Sequence, residues 1–158
     1  MEKITWIYKH FSDLTALEYH HILFLRTEIF VVEQNCPYQE VDKKDVVSYH
    51  LYGTNSNNEV VAVTRIVPQN VSYKEISIGR VAINKKYRGT GLAHELILKT
   101  FEAAENIFGK QAIRISAQEY LLNYYTKHGF NKVGEMYLED DIPHVEMLRP
   151  AIIESSVS

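Results

Sequence analysis

The chain has 158 residues, a length that suits one domain with a real hydrophobic core. Its net charge of -3, from 17 basic against 20 acidic residues, leaves no nucleic-acid footprint. The single cysteine, Cys36, rules out an internal disulfide and fits a reducing compartment; a cytoplasmic location is the expectation, since the start MEKITWIYKHF does not read as a secretory leader and no apolar run reaches membrane length.

Ile4, Trp6 and Tyr8 alternate with Thr5 and Ile7, the pattern of a first strand. Thr15 and Glu18 form a capping box, which predicts a helix from about Ala16 to Phe30. Val31 to Asp45 is a polar, irregular connection that carries Glu33, Glu40, Asp42 and Asp45. Val47 to Thr54 and Glu59 to Pro68 are strand-like, and the Asn-Ser-Asn-Asn turn between them predicts a hairpin. After a short connection, Ile76 to Ile83 is a further strand, and Gly91 to Phe108 has helical periodicity. Ala112 to Ala117 is the next strand, and Leu121 to His128 a short helix stopped by Gly129. Lys132 to Leu138 and His144 to Arg149 close the domain, which ends near residue 150 before a loose Ser-rich tail, 151–158.

This order predicts an α/β (α+β) fold: a mixed, mostly antiparallel sheet of about 6–7 strands with helices on both faces. The strand ending at Ile83 and the strand from Ala112 are expected to be a central parallel pair, joined by a right-handed crossover. Ligands of such sheets bind beyond the carboxyl ends of the strands.

Lys85-Lys86-Tyr87-Arg88-Gly89-Thr90-Gly91 lies between that strand and its helix. The first amides of a helix lack internal partners and sit at its positive end. Glycines let the backbone approach a ligand, and three cations add charge, so the turn is read as a phosphate site. It has no Walker loop, and His94 breaks a dinucleotide fingerprint. What remains is Arg88-x-x-Gly91-x-Ala93, which resembles the pyrophosphate motif of the GNAT N-acetyltransferases. The YTKHGF run from Tyr125 resembles the segment that closes the acceptor site in that superfamily, and RTEIFVVEQ, CPYQEVDKKD, SIGRVAI, YRGTGLA, Gln118 with Tyr125, and YLEDDIPHVEM together resemble its ElaA-type branch.

That resemblance implies transfer of an acetyl group from acetyl-CoA to the amine of a small molecule or peptide, in a ternary complex and without a metal. It implies that Val81, Ala82 and Ile83 hold the pantetheine arm and polarise the thioester. Arg88, Gly89, Thr90, Gly91, Leu92 and Ala93 would hold the diphosphate. Gln118 would contact the pantetheine, in place of an Asn common in relatives; a structural amide is the alternative. Tyr125 would be the acid for the leaving thiolate, unless it is only a packed aromatic beside Phe130.

The base is open. Deprotonating an alkyl ammonium of pKa ~10 at pH 7 costs about 4 kcal/mol. Relatives place a Glu on the central strand, but the matching residue here is Ser77. Glu75, two residues earlier on the same strand face, and His144 on the last strand are the candidates. Glu33, Glu40 and Asp42 could bind a cationic acceptor or form a solvated face; Arg80 could pair with Glu33 or Asp42 and shape that pocket, or lie at a solvent edge. Arg26, on an otherwise apolar helix, needs a buried partner.

Two other readings compete. Arg26 and Phe30 followed by Glu40, Asp42 and Asp45 resemble acyl-homoserine-lactone synthases, which would take S-adenosylmethionine and an acyl carrier; the CoA-type turn argues against this. The fold could also serve as a non-catalytic CoA sensor. His94-Glu95 begins a zinc helix but lacks the second His, and His20 and His21 point to different faces, so no metal is expected. The acceptor's identity is not in the sequence, which leaves a homodimer open.

Overall fold

The computed structural model describes residues 2–151; the expected tail 151–158 lies outside it but for Ala151. Two four-stranded sheets carry the molecule. The first has the order β1 (Thr5–His10), β2 (Tyr49–Thr54), β3 (Val60–Val67), β4 (Ser77–Ile83), all antiparallel. In the second, β8 (Ile142–Arg149) pairs with β5 (Ile113–Gln118) and with two short strands, β6 (Asn131–Lys132) and β7 (Tyr137–Glu139).

Side chains alternate across the first sheet. Tyr52, Val63 and Ala82 face α1 (Ala16–Thr27) and join its Ile22 and Leu25. Leu51 and Ala62 face α2 (Leu92–Phe108) and join its Leu92 and Leu96. Helices therefore cover both faces. A larger core forms where Ile97, Ala103 and Ala104 of α2 meet Ile76, Ile113, Ile115, Phe130 and Met147. At Gly53 a Cβ would come within 2.7 Å of Ile4 and Trp6, so only glycine lets that tryptophan lie flat on β2.

Three departures from the expected elements have local causes. The capping box forms as expected, but α1 ends at Thr27 and continues as a π-helical turn, Glu28–Glu33. The hairpin strand starts at Tyr49 rather than Val47, because Asp45–Val47 is a tight turn that presents Asp45 to buried arginines. The segment expected as one strand from Lys132 yields β6 and β7, both on β8.

The fourth departure creates the site. The expected parallel pair is bridged, among the described residues, at Ile76 and Ile113 alone, with the Arg114 amide donating to the Ile76 carbonyl at 3.0 Å. Beyond that point β4 and β5 diverge into separate sheets. A bulge marks the divergence: Val63 pairs with Ala82 and Arg65 with Gly79, so Thr64 faces both Arg80 and Val81. Arg80 takes a left-handed φ of 51° in mid-strand, which costs a non-glycine residue on the order of 1–2 kcal/mol.

Candidate active site

The gap between β4 and β5 is a cavity of about 480 Å³. Ser77 to Val81 of β4 form one wall, and Ser116, Ala117 and Gln118 of β5 with His144 of β8 form the other. At its mouth, β4 passes through the turn 85–91 into α2. Gly91 is the residue before the helix, with φ 89° and no side chain to cap it. The first backbone bond of α2 runs from the Glu95 amide to the Gly91 carbonyl. The amides of Leu92, Ala93 and His94 thus have no backbone partner among the described residues. Cβ atoms built on Gly89 or Gly91 would meet nothing within 4 Å, so the surface above them is open. Orphan amides, open glycines and the Lys85, Lys86 and Arg88 charges fit a diphosphate. Thr90 turns its hydroxyl back to the Tyr87 carbonyl at 2.5 Å, which fixes the turn.

The short helix α3 (Leu122–Thr126) sets the next group in place. Tyr124 donates from its hydroxyl to the Ala93 carbonyl at 2.7 Å and ties α3 to the start of α2. Its neighbour Tyr125 lines the cavity and packs edge-on against Phe130. Burial raises the Tyr125 phenol well above its ordinary range, so it stays protonated at neutral pH. Gln118 also lines the cavity and bonds Gln34, at the end of the π-helical turn, with Gln34 Nε2 donating at 3.1 Å.

His144 lies opposite Gln118 and is buried in the second wall. Its Nδ1 is 2.7 Å from the Ile142 carbonyl, which only an N–H can satisfy. Nε2 is the other ring nitrogen and lies 3.4 Å from Glu139 Oε2. The tight turn that brings Glu139 there has left-handed φ at both Asp140 and Asp141, the geometry of a two-residue hairpin turn.

The acidic connection turns inward. Arg26 Nε donates to Glu40 at 2.9 Å, and Arg26 Nη1 to Asp45 at 3.1 Å. Arg65 Nη1 reaches Asp42 at 2.6 Å and Asp45 at 2.9 Å. Arg80 Nε lies 2.6 Å from Glu40 Oε1, without hydrogen-bond alignment, and its Nη2 is 3.3 Å from Asp42. Three arginines thus balance three carboxylates. Tyr19 adds a 2.5 Å bond to Asp45, and His50 Nε2 is 2.9 Å from the Asp45 carbonyl. Burial would raise the Asp45 carboxyl, but Arg26, Tyr19 and Arg65 outweigh it and hold it below its usual range. The buried partner required for Arg26 is present, and Arg80 pairs with Asp42 as one of its expected options.

Three assignments need correction. Glu75 does not line the cavity: the bridge at Ile76 draws it to β5, where it grips Arg114 at 3.0 Å, while Arg114 also binds Glu146. Glu33 faces the turn 85–91 and does not line the cavity: its two oxygens take Arg88 Nη1 at 2.5 Å and Nη2 at 2.6 Å. Glu40 is buried under Arg26 and Arg80 and does not line the cavity, so it cannot meet a cationic acceptor. Val81, Gln118, Tyr125, His144, Asp42 and Arg80 do meet in one cavity. The sequence reading missed Gln34, Lys44, Arg65 and Glu139. Arg65 had a signal, a lone cation in the apolar run VVAVTRIV; Gln34 had none.

A family model described as "Acetyltransferase (GNAT) domain" matches residues 25–149. Protein ElaA of Escherichia coli is 37% identical over 94% of this chain and 98% of its own length. The crystal structure of that ElaA superposes with a TM-score of 0.86 over 93% of this chain and 99% of the other. A crystal structure titled as an acyl-CoA N-acyltransferase from Pseudomonas aeruginosa is 42% identical, with a TM-score of 0.87 over the same shares. With a family match along most of its length and these relatives, the chain belongs to the GNAT acetyltransferases and to their ElaA-like group.

Proposed function

We propose that the protein moves an acetyl group from acetyl-CoA to a primary amine in a ternary complex. The observation that carries this reading is the uncapped start of α2, set beside two open glycines at the mouth of the β4–β5 gap. A diphosphate held there leaves the rest of its molecule to run along the unpaired inner edge of β4. The thioester supplies an activated acyl carbon and a thiol leaving group. The family description supports acetyl as the group transferred.

Val81 lines the wall beside the bulge, where an edge amide can donate to the thioester carbonyl. His144 Nε2 accepts a proton from the acceptor ammonium, and Glu139 beside it stabilises the imidazolium. The nitrogen then forms its bond to the acyl carbon as the carbon–sulfur bond breaks. Of the two protons the nitrogen sheds, one goes through His144 to solvent and the other ends on sulfur. The Tyr125 hydroxyl donates a hydrogen bond to that sulfur as negative charge develops.

The test is isothermal titration with CoA and thiol release from acetyl-CoA against an amine panel. Gly91→Glu sets a carboxylate over the orphan amides and is expected to abolish CoA binding while circular dichroism stays native. Unchanged affinity would place the coenzyme elsewhere and overturn the reading.

A further inference from the structure

The two walls of the cavity differ in charge. The cations that line it, Lys44, Arg65 and Arg80, all come from the first sheet and the connection leading to it. Among the described residues, the one anion of that side that lines the cavity is Asp42, and it is already engaged by Arg65 and Arg80. Asp42 Oδ1 also accepts the Lys44 backbone amide at 2.9 Å, which fixes the Lys44 main chain next to the carboxylate that Arg65 holds, and both residues line the cavity. The Lys44 side chain makes no ion pair among the described residues. Arg65 is about nineteen-twentieths buried, and its Nε has no hydrogen-bond partner. Ser77, buried on the same side, adds a hydroxyl. With Arg26, Arg65 and Arg80 balanced by Glu40, Asp42 and Asp45, Lys44 leaves this wall one positive charge in excess. The second sheet bears the opposite set: Glu139 and Asp140 at the rim, and His144 with its Nε2 beside Glu139.

We infer that the acceptor is a free amino acid or similar small amino-carboxylate, whose carboxylate is held by Lys44 and Arg65 while its amine meets His144 and Glu139 across the cavity. The inference rests on the acetyltransfer reading and deepens it. A carboxylate needs charged donors, and this wall has a surplus. An ammonium needs an acceptor that can also take a proton; Asp42 is engaged by Arg65 and Arg80, and the other wall offers His144. A polyamine would place a cation against Lys44 and Arg65. A peptide amino terminus would set a neutral amide there and leave the excess charge unmet.

The experiment uses the twenty L-amino acids and their α-carboxamides as probes with the intact protein. Thiol release from acetyl-CoA and calorimetric binding to CoA-saturated protein are both read. The expected result is that at least one amino acid exceeds its carboxamide by on the order of 10-fold in kcat/KM or in affinity. Lys44→Gln is expected to erase that preference by raising KM for the acid, with kcat nearly unchanged. Binding of an acid in preference to its amide, without turnover, would uphold the subsite and sink the acetyltransfer reading instead. Equal or better use of the amide, or no preference in either readout, overturns the inference. So does a Lys44→Gln protein that keeps the preference.

Discussion

Glu33 and Arg88 meet as a two-pronged ion pair across the mouth of the β4–β5 gap, at 2.5 and 2.6 Å. The Arg88 bonds hold the Glu33 carboxyl below its usual range. Glu33 thus occupies the one arginine of the phosphate turn with an internal anion. A bound diphosphate must compete with it. Glu33→Gln is expected to tighten CoA binding about 2- to 5-fold, the scale of an exposed pair, as read by calorimetry at low salt. Weaker binding in that variant would mean that Glu33 helps hold the turn in its binding shape.

Tyr125→Phe is expected to lower kcat by about 10- to 100-fold with less than a 3-fold change in KM for acetyl-CoA. The packing against Phe130 is kept by phenylalanine, so only the hydroxyl is removed. Equal turnover would leave Tyr125 as packing alone.

His144→Gln is expected to remove most turnover while CoA affinity holds, because Gln bonds but does not take a proton. Glu75→Gln, outside the cavity, is expected to leave kcat within 2-fold. The reverse pattern would restore the strand carboxylate as base.

Arg80 separates backbone strain from side-chain bonding. Arg80→Ala and Arg80→Gly both lose the contacts to Glu40 and Asp42, but only glycine accepts φ 51° freely. Urea unfolding is expected to find the glycine variant more stable than the alanine variant by about 1 kcal/mol. Equal stability would argue against strain at the bulge.

The Arg26 cluster sets the acid limit. Asp45 and Asp42 have lowered carboxyl pKa values in the fold, so their stabilisation is complete above the unfolded value of 3.8 and is lost as pH falls below it. Glu18, lowered from 4.5 to about 2, acts the same way over that interval. Burial lowers the His50 imidazole, so the unfolded chain binds its proton first and stability begins to fall below pH ~6.5. Chemical denaturation from pH 7 to 3 is expected to show both steps. Arg26→Met at pH 7 is expected to cost about 3–5 kcal/mol, because Glu40 and Asp45 stay buried.

Much of the fold was legible because it rests on local signals. The Thr15 box, the Asn55–Asn58 turn and the periodicity of α2 each show within a few residues. The phosphate turn was legible for the same reason: a strand, glycines and a helix start are contiguous. The charged wall of the cavity was not, because it depends on pairing between distant charges. The segment Val31 to Asp45 read as an irregular connection, with an acceptor site or a solvated face for its acids, yet Glu40 and Asp45 are among the most buried polar residues. Arg26, Glu40, Asp42 and Asp45, whose spacing resembles another enzyme group, hold one another and Arg65 beneath the cavity. The bulge was also hidden, since an arginine in left-handed backbone has no local signature. The ion pairs to Glu40 and Asp42, the Nη2 bond to the Glu40 carbonyl at 2.9 Å, and the Tyr38 ring 5.6 Å from its guanidinium hold it there.

The divergence of β4 from β5 leaves two strand margins facing each other with their ladder bonds unmade, fastened at one end by a single rung. A guest of peptide-like spacing that lies between them acts as a rivet for both halves of the body. Occupancy at 100 times the dissociation constant would add about 2.7 kcal/mol to global stability. Amide exchange at Val81 and at Ala117 would then slow together, although the two residues belong to different sheets.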